Sequence, residues 1–483
     1  MNSHQKKNTH DTWILRRYLL AIMAFLGILN AYAMEMNIFI LLKEMVLAPK
    51  QANSSCNCPG AYYPLLENMV KKETYEWNRP FREFVFLSFC LGHIISHIPS
   101  GVLANKFGAK YVLGLGILLM AICSLTVPTI IKKEYWWWFC ILYVCMGIGK
   151  GTTIPALNTL LAKWIPFQER SKVASFIYSG SILGTMIGTV LCGTFINTVK
   201  DWTITFYFLG ILSILWFIFW VFLCHSDPRF DPFISEMEMK FLVQEMPHIL
   251  RTVRKIPWRK ILTTSSVWTI IATQAAYEWI FFIAITNVPM FMKDVLKFKF
   301  TSNEVYFLVP YTAAWIASLI HGCLCDWLIK NDFMSVTFVR KAFVTLAFSG
   351  SAIFLMASSY SGCNRFYSMI YFTVAMTLMV SYDCNIKVNI LDLSPNFTGT
   401  LTAIIQCIGT ISGTAAAYLI GILTKDHALT QWRIVFWITF GLLFVANILY
   451  GIYGSTEEQQ WNKIQLIKSR KCRQCDMENN KYY

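Results

Sequence analysis

The chain has 483 residues, of which 55% are hydrophobic and only 14% are charged, and its mean hydropathy is +0.47. This composition excludes an ordinary soluble domain and predicts an integral protein of the lipid bilayer. The 42 basic residues exceed the 27 acidic ones, which gives a net charge of +15. Because they are scattered between apolar runs, they indicate membrane topology and no nucleic-acid partner.

A helix needs about 20 apolar residues to cross the hydrocarbon core of a bilayer. Apolar runs of this kind, bounded by charged or turn residues, predict twelve transmembrane helices and therefore an all-α membrane protein. Numbered spans 1 to 12 in chain order, they cover residues 15–42, 84–104, 110–131, 136–162, 173–197, 203–224, 263–290, 306–329, 340–359, 366–392, 400–423 and 433–453.

Because the number of spans is even, both ends of the chain are expected on one side of the membrane. Lys and Arg are more frequent in the segments that would then be cytoplasmic, as the positive-inside rule requires. The predicted organisation is a cytoplasmic N-terminus at 1–14, an N-terminal six-helix bundle at 15–224, a cytoplasmic linker at 225–261, a C-terminal six-helix bundle at 262–455 and a basic cytoplasmic tail at 456–483.

The two halves resemble each other at two corresponding places. Span 2 is followed by GVLANKFGAK from Gly101, and span 8 ends in GCLCDWLIK from Gly322, with a shared Gly-x-Leu-Ala/Cys-Asn/Asp pattern. Spans 5 and 11 carry the glycine-rich stretches SGSILGTMIGTVLCG and CIGTISGTAAAYLIG, whose small residues permit close helix packing. Agreement at two registers favours a duplication into two pseudo-symmetric six-helix bundles, the plan of transporters with rocking halves.

Five ionisable residues lie deep within predicted spans, where each is costly unless it is paired or hydrated. They are Glu35 in span 1, Lys150 in span 4, Glu278 in span 7, and Asp383 and Lys387 in span 10. In a duplicated transporter, spans 1, 4, 7 and 10 are expected to line the central cavity. All five residues are therefore candidates for substrate binding or ion coupling.

Each of these residues also has a structural interpretation. Glu35 is expected to pair with Lys150, since a buried pair costs less than either ion alone. Asp383 and Lys387 are four residues apart and are expected to form a pair on one helix face. Glu278 has no evident partner nearby in the sequence, which makes it the strongest candidate for a protonatable coupling group.

Two short motifs bear on metal binding. His93 and His97 are one helical turn apart, a spacing suited to a metal or a proton relay, although backbone or water contacts more often satisfy such histidines. Cys472 and Cys475 have a zinc-like spacing but lack a second pair, and palmitoylation explains them equally well. No metal site is predicted.

The loops provide tests of the topology. Asn53 lies in a glycosylation sequon on the expected non-cytoplasmic side, whereas the sequon at Asn396 should face the cytoplasm and stay unmodified. The non-cytoplasmic, oxidising side is also expected to hold three cysteines, Cys56, Cys58 and Cys363. Two of them can form a disulfide bond there.

Several long stretches resemble one family, the anion transporters of the major facilitator superfamily that include sialin, vesicular glutamate transporters and type I sodium-phosphate cotransporters. The similarity extends almost from Arg17 to Trp461, and its most specific parts are AKWIPFQERSK and LDLSPNFTGT. The resemblance implies the major facilitator fold, alternating access, and transport of organic or inorganic anions driven by protons, sodium or membrane potential.

The chain departs from the family pattern at the expected cavity. Glu35 replaces the arginine of the family's YALRVN stretch and Lys150 replaces the glutamate of its GLGEGVTFPA stretch, so the charges of this pair are exchanged. Lys387 stands where the family has the first Asn of its NVN. The family has a motif aspartate after span 2, and this chain has Asn105 at that position. The corresponding aspartate of the second half is retained as Asp326.

The favoured function is a secondary active transporter of a small anion, working as a monomer in the plasma membrane or in a lysosomal or vesicular membrane. No cofactor is expected apart from a coupling ion, H⁺ or Na⁺, and no enzyme motif or catalytic residue is found. The alternatives are transport of a cationic or zwitterionic solute and a non-transporting membrane receptor. The candidate substrate-binding residues are Lys150, Lys387 and Tyr277, and the candidate coupling residues are Glu35, Glu278, Asp383 and His93.

Overall fold

The structure is a computed structural model that describes residues 15–44, 79–133, 135–199, 201–246, 256–287, 304–361, 364–424 and 429–462. These ranges contain helices and connecting turns and no strand. Twelve of the helical stretches are long and apolar enough to cross a membrane. The predicted all-α fold with twelve spans is therefore confirmed.

Most spans are built from one continuous helix. In chain order these helices are Arg16–Glu44 (span 1), Arg79–Phe107 (2), Ala109–Lys132 (3), Arg170–Thr198 (5), Thr203–Leu223 (6), Ser265–Phe282 (7), Glu304–Lys330 (8), Thr398–Leu423 (11) and Leu429–Tyr453 (12).

The remaining spans are interrupted helices. They consist of Trp136–Gly151 and Thr153–Trp164 (span 4), Val336–Thr345 and Ser351–Tyr360 (span 9), and Arg365–Met379 and Ile386–Leu393 (span 10). Span 7 continues into a π-helical turn at Ile283–Asn287. Irregular backbone of this kind at membrane depth is tolerated where it is enclosed by protein or lines a cavity, and Lys150 and Asp383 both lie at such interruptions.

The interruption of span 4 follows from its sequence. Pro155 has no backbone N–H and cannot bond the carbonyl of Gly151 four residues earlier. That carbonyl instead accepts a hydrogen bond from the Ser100 hydroxyl at 3.3 Å, and the Thr153 hydroxyl donates to the carbonyl of Lys150 at 2.7 Å. Because side chains satisfy the freed carbonyls, the helix can break at this point without leaving buried polar groups unpaired.

The packing of the spans confirms the pseudo-symmetry. Within the first half, span 1 packs on spans 5 and 6, span 2 on span 4, and span 3 on span 6; within the second half, the same pairs recur with each number raised by six. Between the halves, span 5 contacts span 8 and span 2 contacts span 11. These two contacts are equivalent, because span 11 is the counterpart of span 5 and span 8 is the counterpart of span 2. The two halves are thus equivalent bundles joined along two seams.

The charged spans are the most enclosed. In spans 1, 4, 7 and 10, 61 to 67% of the apolar window is buried, against 28 to 33% in spans 6, 8 and 12. The outer spans expose large apolar side chains such as Phe222 and Ile320, as expected for surfaces that face lipid. The ionisable residues therefore lie on the helices that are best shielded from the acyl chains.

The glycine-rich stretches lie where helices approach closely. A Cβ at Gly180 or Gly188 of span 5 would lie 2.8 or 2.7 Å from carbonyl oxygens of span 1. In span 11, a Cβ at Gly409 would lie 2.8 Å from the Gln274 side chain of span 7. Corresponding helices in the two halves thus use small residues at corresponding contacts.

The linker packs on the first half of the molecule. It contains helices Glu236–Glu245 and Trp258–Thr263. Asp231 pairs with Arg16 at 3.1 Å, and Glu238 accepts a hydrogen bond from the backbone of Arg16 at 3.0 Å. We call this face of the molecule, where span 1 begins, the linker end.

The approach of spans 2 and 11 provides a test of the seams. A Cβ at Gly101 would clash with the carbonyl oxygen of Gly399 and lie 2.7 Å from Cβ of Ala403. We expect Gly101→Ala to destabilise the protein by about 1–3 kcal/mol through overpacking. The thermal unfolding midpoint of the purified protein should fall, whereas Gly421→Ala on span 11 should not lower it, because no described residue lies within 4 Å of a Cβ at that position. Equal midpoints for both variants would contradict the close contact.

Candidate functional site: two ion pairs and a closed gate

The first half contributes one lysine–carboxylate pair. Lys150 Nζ lies 2.7 Å from Glu35 Oε2, and the two side chains are 3% and 12% exposed. The ammonium group also lies 2.9 Å from the centroid of the Tyr32 ring. The predicted pairing of Glu35 with Lys150 is confirmed, and an aromatic face completes the surroundings of the cation.

The second half contributes the other pair. Lys387 Nζ lies 2.7 Å from Asp383 Oδ1, with side chains 7% and 2% exposed, which confirms the predicted pair on one face of span 10. The Tyr277 hydroxyl donates to Asp383 Oδ2 at 3.3 Å. Lys387 Nζ also lies 4.4 Å from the ring centroid of Tyr178, which belongs to span 5 of the first half. The second pair therefore lies at the interface between the halves.

Glu278 differs from the other two carboxylates. It forms no ion pair within the part of the chain that the structure describes. The expectation that it has no partner nearby in the sequence is wrong, because the side-chain amide of Gln274, one turn earlier, donates to Glu278 Oε1 at 2.9 Å. Opposite charge did not indicate this partner, because the amide of Gln274 is neutral. Glu278 thus has a polar partner but no direct countercharge.

The five ionisable residues form one electrostatic cluster. Glu278 interacts with charges on Lys387, Glu35, Asp383 and Lys150. With three carboxylates and two ammonium groups, the cluster carries one net negative charge when all its members are ionised. The cavity helices therefore bring together the residues that their positions in the sequence suggested.

Aromatic and amide side chains surround this cluster. Tyr277 stacks on Tyr382 with ring centroids 4.0 Å apart, and the Tyr382 hydroxyl donates to Gln274 Oε1 at 2.8 Å. Gln274 also donates to Gln406 of span 11 at 2.6 Å. Tyr382, Gln274 and Gln406 were not predicted as site residues, because uncharged polar residues are common in membrane helices and give no distinctive signal in the sequence.

The two predicted histidines lie together on span 2. The rings of His93 and His97 are 4.6 Å apart, and His97 Nε2 lies 3.1 Å from the Thr410 hydroxyl of span 11. His93 interacts electrostatically with Lys150, which places it at the margin of the cluster. Among the described residues, no group of three His, Cys, Asp or Glu side chains is positioned to hold a metal ion.

A second charged network joins the halves at the linker end. Asp392 of span 10 pairs with Arg170 of span 5 at 2.8 Å and with Arg340 of span 9 at 3.2 Å. All three side chains are at most 5% exposed. Asp326 of span 8 accepts hydrogen bonds from the backbone N–H groups of Ser171 and Lys172 at 3.2 and 2.7 Å. Asp326 thus closes the seam between spans 5 and 8, and the ion pair of Arg170 with Asp392 joins span 5 to span 10 beside it.

The seam between spans 2 and 11 is closed without charge. Asn105 of span 2 donates to the Thr400 hydroxyl of span 11 at 3.0 Å, and Asn158 of span 4 donates to the Thr402 hydroxyl of span 11 at 2.9 Å. The two halves are therefore in contact along both seams at the linker end.

Three residues of this network, Arg170, Arg340 and Asp392, were likewise not predicted to be buried ions. Each lies near a predicted span boundary. A charged residue there is ordinarily solvated, so its position in the sequence does not indicate a functional site. A signal was nevertheless available, since AKWIPFQERSK and LDLSPNFTGT, the most specific motifs of the resemblance, contain Arg170 and Asp392. In this structure the two motifs supply both partners of the buried ion pair between spans 5 and 10.

Several predictions concern residues outside the described ranges. They are the glycosylation site Asn53, the loop cysteines Cys56, Cys58 and Cys363, and the tail cysteines Cys472 and Cys475. Asn396 is described, and its backbone N–H donates to Asn462 Oδ1 at 3.4 Å in the segment after span 12.

Comparisons with known proteins agree with this architecture. The profile of the Major Facilitator Superfamily matches residues 20–417. Sialin from Homo sapiens is 31% identical over 450 residues, 92% of this chain and 90% of its own. Vesicular glutamate transporter 1 from Bos taurus is 27% identical over 464 residues, 95% of this chain and 80% of its own.

The fold is also similar to a solved structure. The proton:xylose symporter XylE of the major facilitator superfamily, bound to 6-bromo-6-deoxy-D-glucose, superimposes with a TM-score of 0.69 at 15% sequence identity, covering 93% of this chain and 98% of that one. At this identity the match supports the fold alone.

The buried network at the linker end can be tested by mutation. Asp392→Asn removes the shared countercharge of Arg170 and Arg340, and unpaired buried charges cost about 3–5 kcal/mol. We expect a clear fall in the thermal unfolding midpoint of the purified protein. Glu236→Gln is the matched control, because its pair with Lys240 is exposed, at 94% and 81%, and exposed pairs contribute little. A midpoint as high as that of the control would argue against a structural ion network.

Proposed function

The chain belongs to the Major Facilitator Superfamily, and on this premise we propose that it is a secondary active transporter that moves a small anion across a membrane by alternating access. Vesicular glutamate transporter 1 is named for glutamate, an anion with two carboxylates. The observation that carries the proposal is the presence of one buried ammonium group in each half, Lys150 and Lys387, close to the interface between the halves.

Substrate binding is proposed to proceed by exchange of ion-pair partners. An anionic group on the solute takes the place of Glu35 beside Lys150, or of Asp383 beside Lys387, since ammonium groups bind carboxylates and phosphates strongly in a low-dielectric site. Tyr277, which donates to Asp383 at 3.3 Å, is a neutral donor that the solute can use in the same way. Lysine lacks the planar fork of arginine, so the geometry imposed on the anion is less strict.

Coupling to protons follows from the same exchange. A carboxylate displaced from its lysine would be left ionised in a low-dielectric site, and a bound proton offsets that cost. Glu278 is the leading candidate for the coupling group, because its described partner is a neutral amide. Glu35 and Asp383 can take protons when the solute binds, and His93 can relay them near Lys150. Na⁺ remains the alternative coupling ion.

A cationic or zwitterionic solute is the second candidate, and two observations favour it. Both lysines are already neutralised by carboxylates at 2.7 Å, so the whole cluster has one surplus negative charge. The faces of Tyr32, Tyr178 and Tyr277 line the cluster, and aromatic faces attract cations.

The protein is an integral membrane protein with multiple spans. We extend the proposal to a monomer with both termini in the cytoplasm, located in the plasma membrane or in a lysosomal or vesicular membrane. In this orientation the linker end is cytoplasmic, Asn53 is glycosylated on the opposite side and Asn396 is not. The closed seams described above then correspond to a gate shut toward the cytoplasm.

Proton coupling can be tested in proteoliposomes with labelled glutamate and labelled inorganic phosphate as probes. Glu278→Gln removes a protonatable group while keeping hydrogen-bonding capacity. We expect uptake driven by a pH gradient to fall at least tenfold, while exchange between equal probe concentrations persists. Glu236→Gln on the exposed linker helix serves as control. Gradient-driven uptake that is unchanged in both Glu278→Gln and Glu35→Gln would refute the coupling role.

The sign of the substrate's charge can be tested by measuring which compounds inhibit the same uptake. Small carboxylates and phosphate should inhibit it, while methylamine and choline at equal concentration should not, because amines cannot replace a carboxylate beside lysine. Inhibition by the amines alone would favour the cationic solute.

A further inference from the structure

Two cysteines lie in contact between spans 8 and 10 near the linker end. Cys325 Sγ of span 8 is 3.9 Å from Cys384 Sγ of span 10, and both residues are at most 1% exposed. Val339 and Phe343 of span 9 pack with them in one small cluster. The pseudo-equivalent position of Cys325 in the first half is Ala104, which is equally buried. A thiol is therefore not needed at this position to pack the helix.

The two sulfur atoms share a polar partner. The side-chain amide of Asn385 donates to Cys384 Sγ at 3.1 Å and to Cys325 Sγ at 3.6 Å, and both cysteines are free thiols in this structure. A disulfide bond requires the sulfur atoms to approach by roughly 2 Å more. Cys384 belongs to the short turn at 383–385 that interrupts span 10, and adjustment of this turn can provide the approach.

The turn lies between the charged cluster and the contacts at the linker end. Asp383, the neighbour of Cys384, pairs with Lys387. The carbonyl of Cys384 accepts a hydrogen bond from Arg340 Nη1 at 2.7 Å, and the same nitrogen donates to the Ser171 hydroxyl of span 5 at 2.9 Å. A chemical change at Cys384 therefore affects both a residue of the cluster and a contact between the halves.

We propose that Cys325 and Cys384 form a redox-sensitive modification site, at which hydrogen peroxide oxidises the two thiols to a disulfide bond that holds span 10 to span 8 and stops transport. One thiolate attacks a peroxide oxygen and becomes a sulfenic acid, and the second thiol then displaces water from that sulfur. Two S–H bonds are lost and one S–S bond forms, while the peroxide takes up two electrons and two protons to give two molecules of water. A dithiol reductant reverses the change.

The location of the pair fits a switch better than a permanent bond. In the proposed orientation it lies toward the cytoplasm, where thiols stay reduced until an oxidant appears. Hydrogen peroxide is small and reaches buried thiols during local opening of the structure.

The bond would restrain a turn that the transport cycle has to move. In the proposed function, Asp383 leaves Lys387 when the solute binds, and Arg340 releases Ser171 when the halves part at the linker end. Both steps displace groups that contact the turn carrying Cys384. The effect on transport thus rests on the proposed function, whereas formation of the bond does not.

Bond formation is tested on the full-length protein in lipid nanodiscs, purified under reducing conditions and treated with hydrogen peroxide. Remaining thiols are alkylated in denaturant with N-ethylmaleimide, and the digested protein is analysed by mass spectrometry. We expect a pair of peptides linked through Cys325 and Cys384, which dithiothreitol separates. Cys325→Ser should abolish this linked pair, and Cys323→Ser, the matched control on the same helix with an exposed thiol, should keep it. Absence of the linked pair from the native chain would overturn the site.

The effect on transport is measured in proteoliposomes with labelled glutamate and labelled inorganic phosphate. The initial rate of uptake should fall in proportion to the fraction of protein that carries the bond and should recover with dithiothreitol, because a protein with a fixed turn cannot complete the cycle. Cys323→Ser should respond like the native chain, whereas Cys325→Ser should not respond to the oxidant. If Cys325→Ser does not fold, Cys384→Ser takes its place. Uptake that stays unchanged while the linked pair forms would overturn the control of transport.

Thermal unfolding separates this inference from the proposed function. Closing the loop at 325–384 restricts the unfolded chain, so oxidation should raise the unfolding midpoint of the native chain and of Cys323→Ser but not that of Cys325→Ser. If the reduced protein takes up neither probe, the linked pair and the higher midpoint would still support the redox site, and the proposed function would be overturned.

Discussion

The arrangement of the interior depends on the cost of placing ionised side chains among membrane-spanning helices. Lys150 on span 4 is held by Glu35 on span 1, so this pair joins two helices and favours their movement as one body. Asp383 and Lys387 both belong to span 10, and their pair places no such constraint on neighbouring helices. Spans 1 and 4 are therefore joined by an ion pair, whereas spans 7 and 10 are joined by the neutral hydroxyl of Tyr277 on Asp383 and by the stack of Tyr277 on Tyr382.

The backbone around Lys150 places two helix ends beside it. The helix Trp136–Gly151 ends directly after Lys150, which lies in its last turn, and the C-terminal end of a helix carries partial negative charge. The next helix begins at Thr153, and its N-terminal end carries the opposite partial charge. Glu35, at 2.7 Å, is therefore the principal countercharge of Lys150.

Much of the fold follows from the sequence, because length and hydropathy determine where helices cross a bilayer. The duplicated GVLANKFGAK and GCLCDWLIK motifs predicted the two halves, and Gly101 and Gly322 lie on the seams between the halves at the linker end. The two ion pairs were predictable from helical spacing and opposite charge. The stack of Tyr277 on Tyr382 and the amide partner of Glu278 were not, because neutral polar side chains become a site through tertiary packing, which a periodic pattern does not encode. Arg340 and Asp392 were missed for another reason, since a residue at a span boundary is usually solvated and these are buried by contact between helices.

The gate at the linker end is asymmetric although the bundles are pseudo-symmetric. Spans 5 and 8 are joined by Asp326 on backbone N–H groups, and the ion pair of Arg170 with Asp392 joins span 5 to span 10. Spans 2 and 11 are instead joined by the neutral contact of Asn105 with Thr400. Opening the charged seam exposes ions to water, which hydrates them and offsets part of the lost pairing. Opening the neutral seam instead separates closely packed backbone at Gly101 and Gly399 and gains little from hydration. The charged contacts between the halves at the linker end thus converge on span 5, which also carries Tyr178 over the ammonium group of Lys387. Span 5 therefore contacts both these charged contacts and the charged cluster, and in the proposed transport cycle it would connect solute binding with opening.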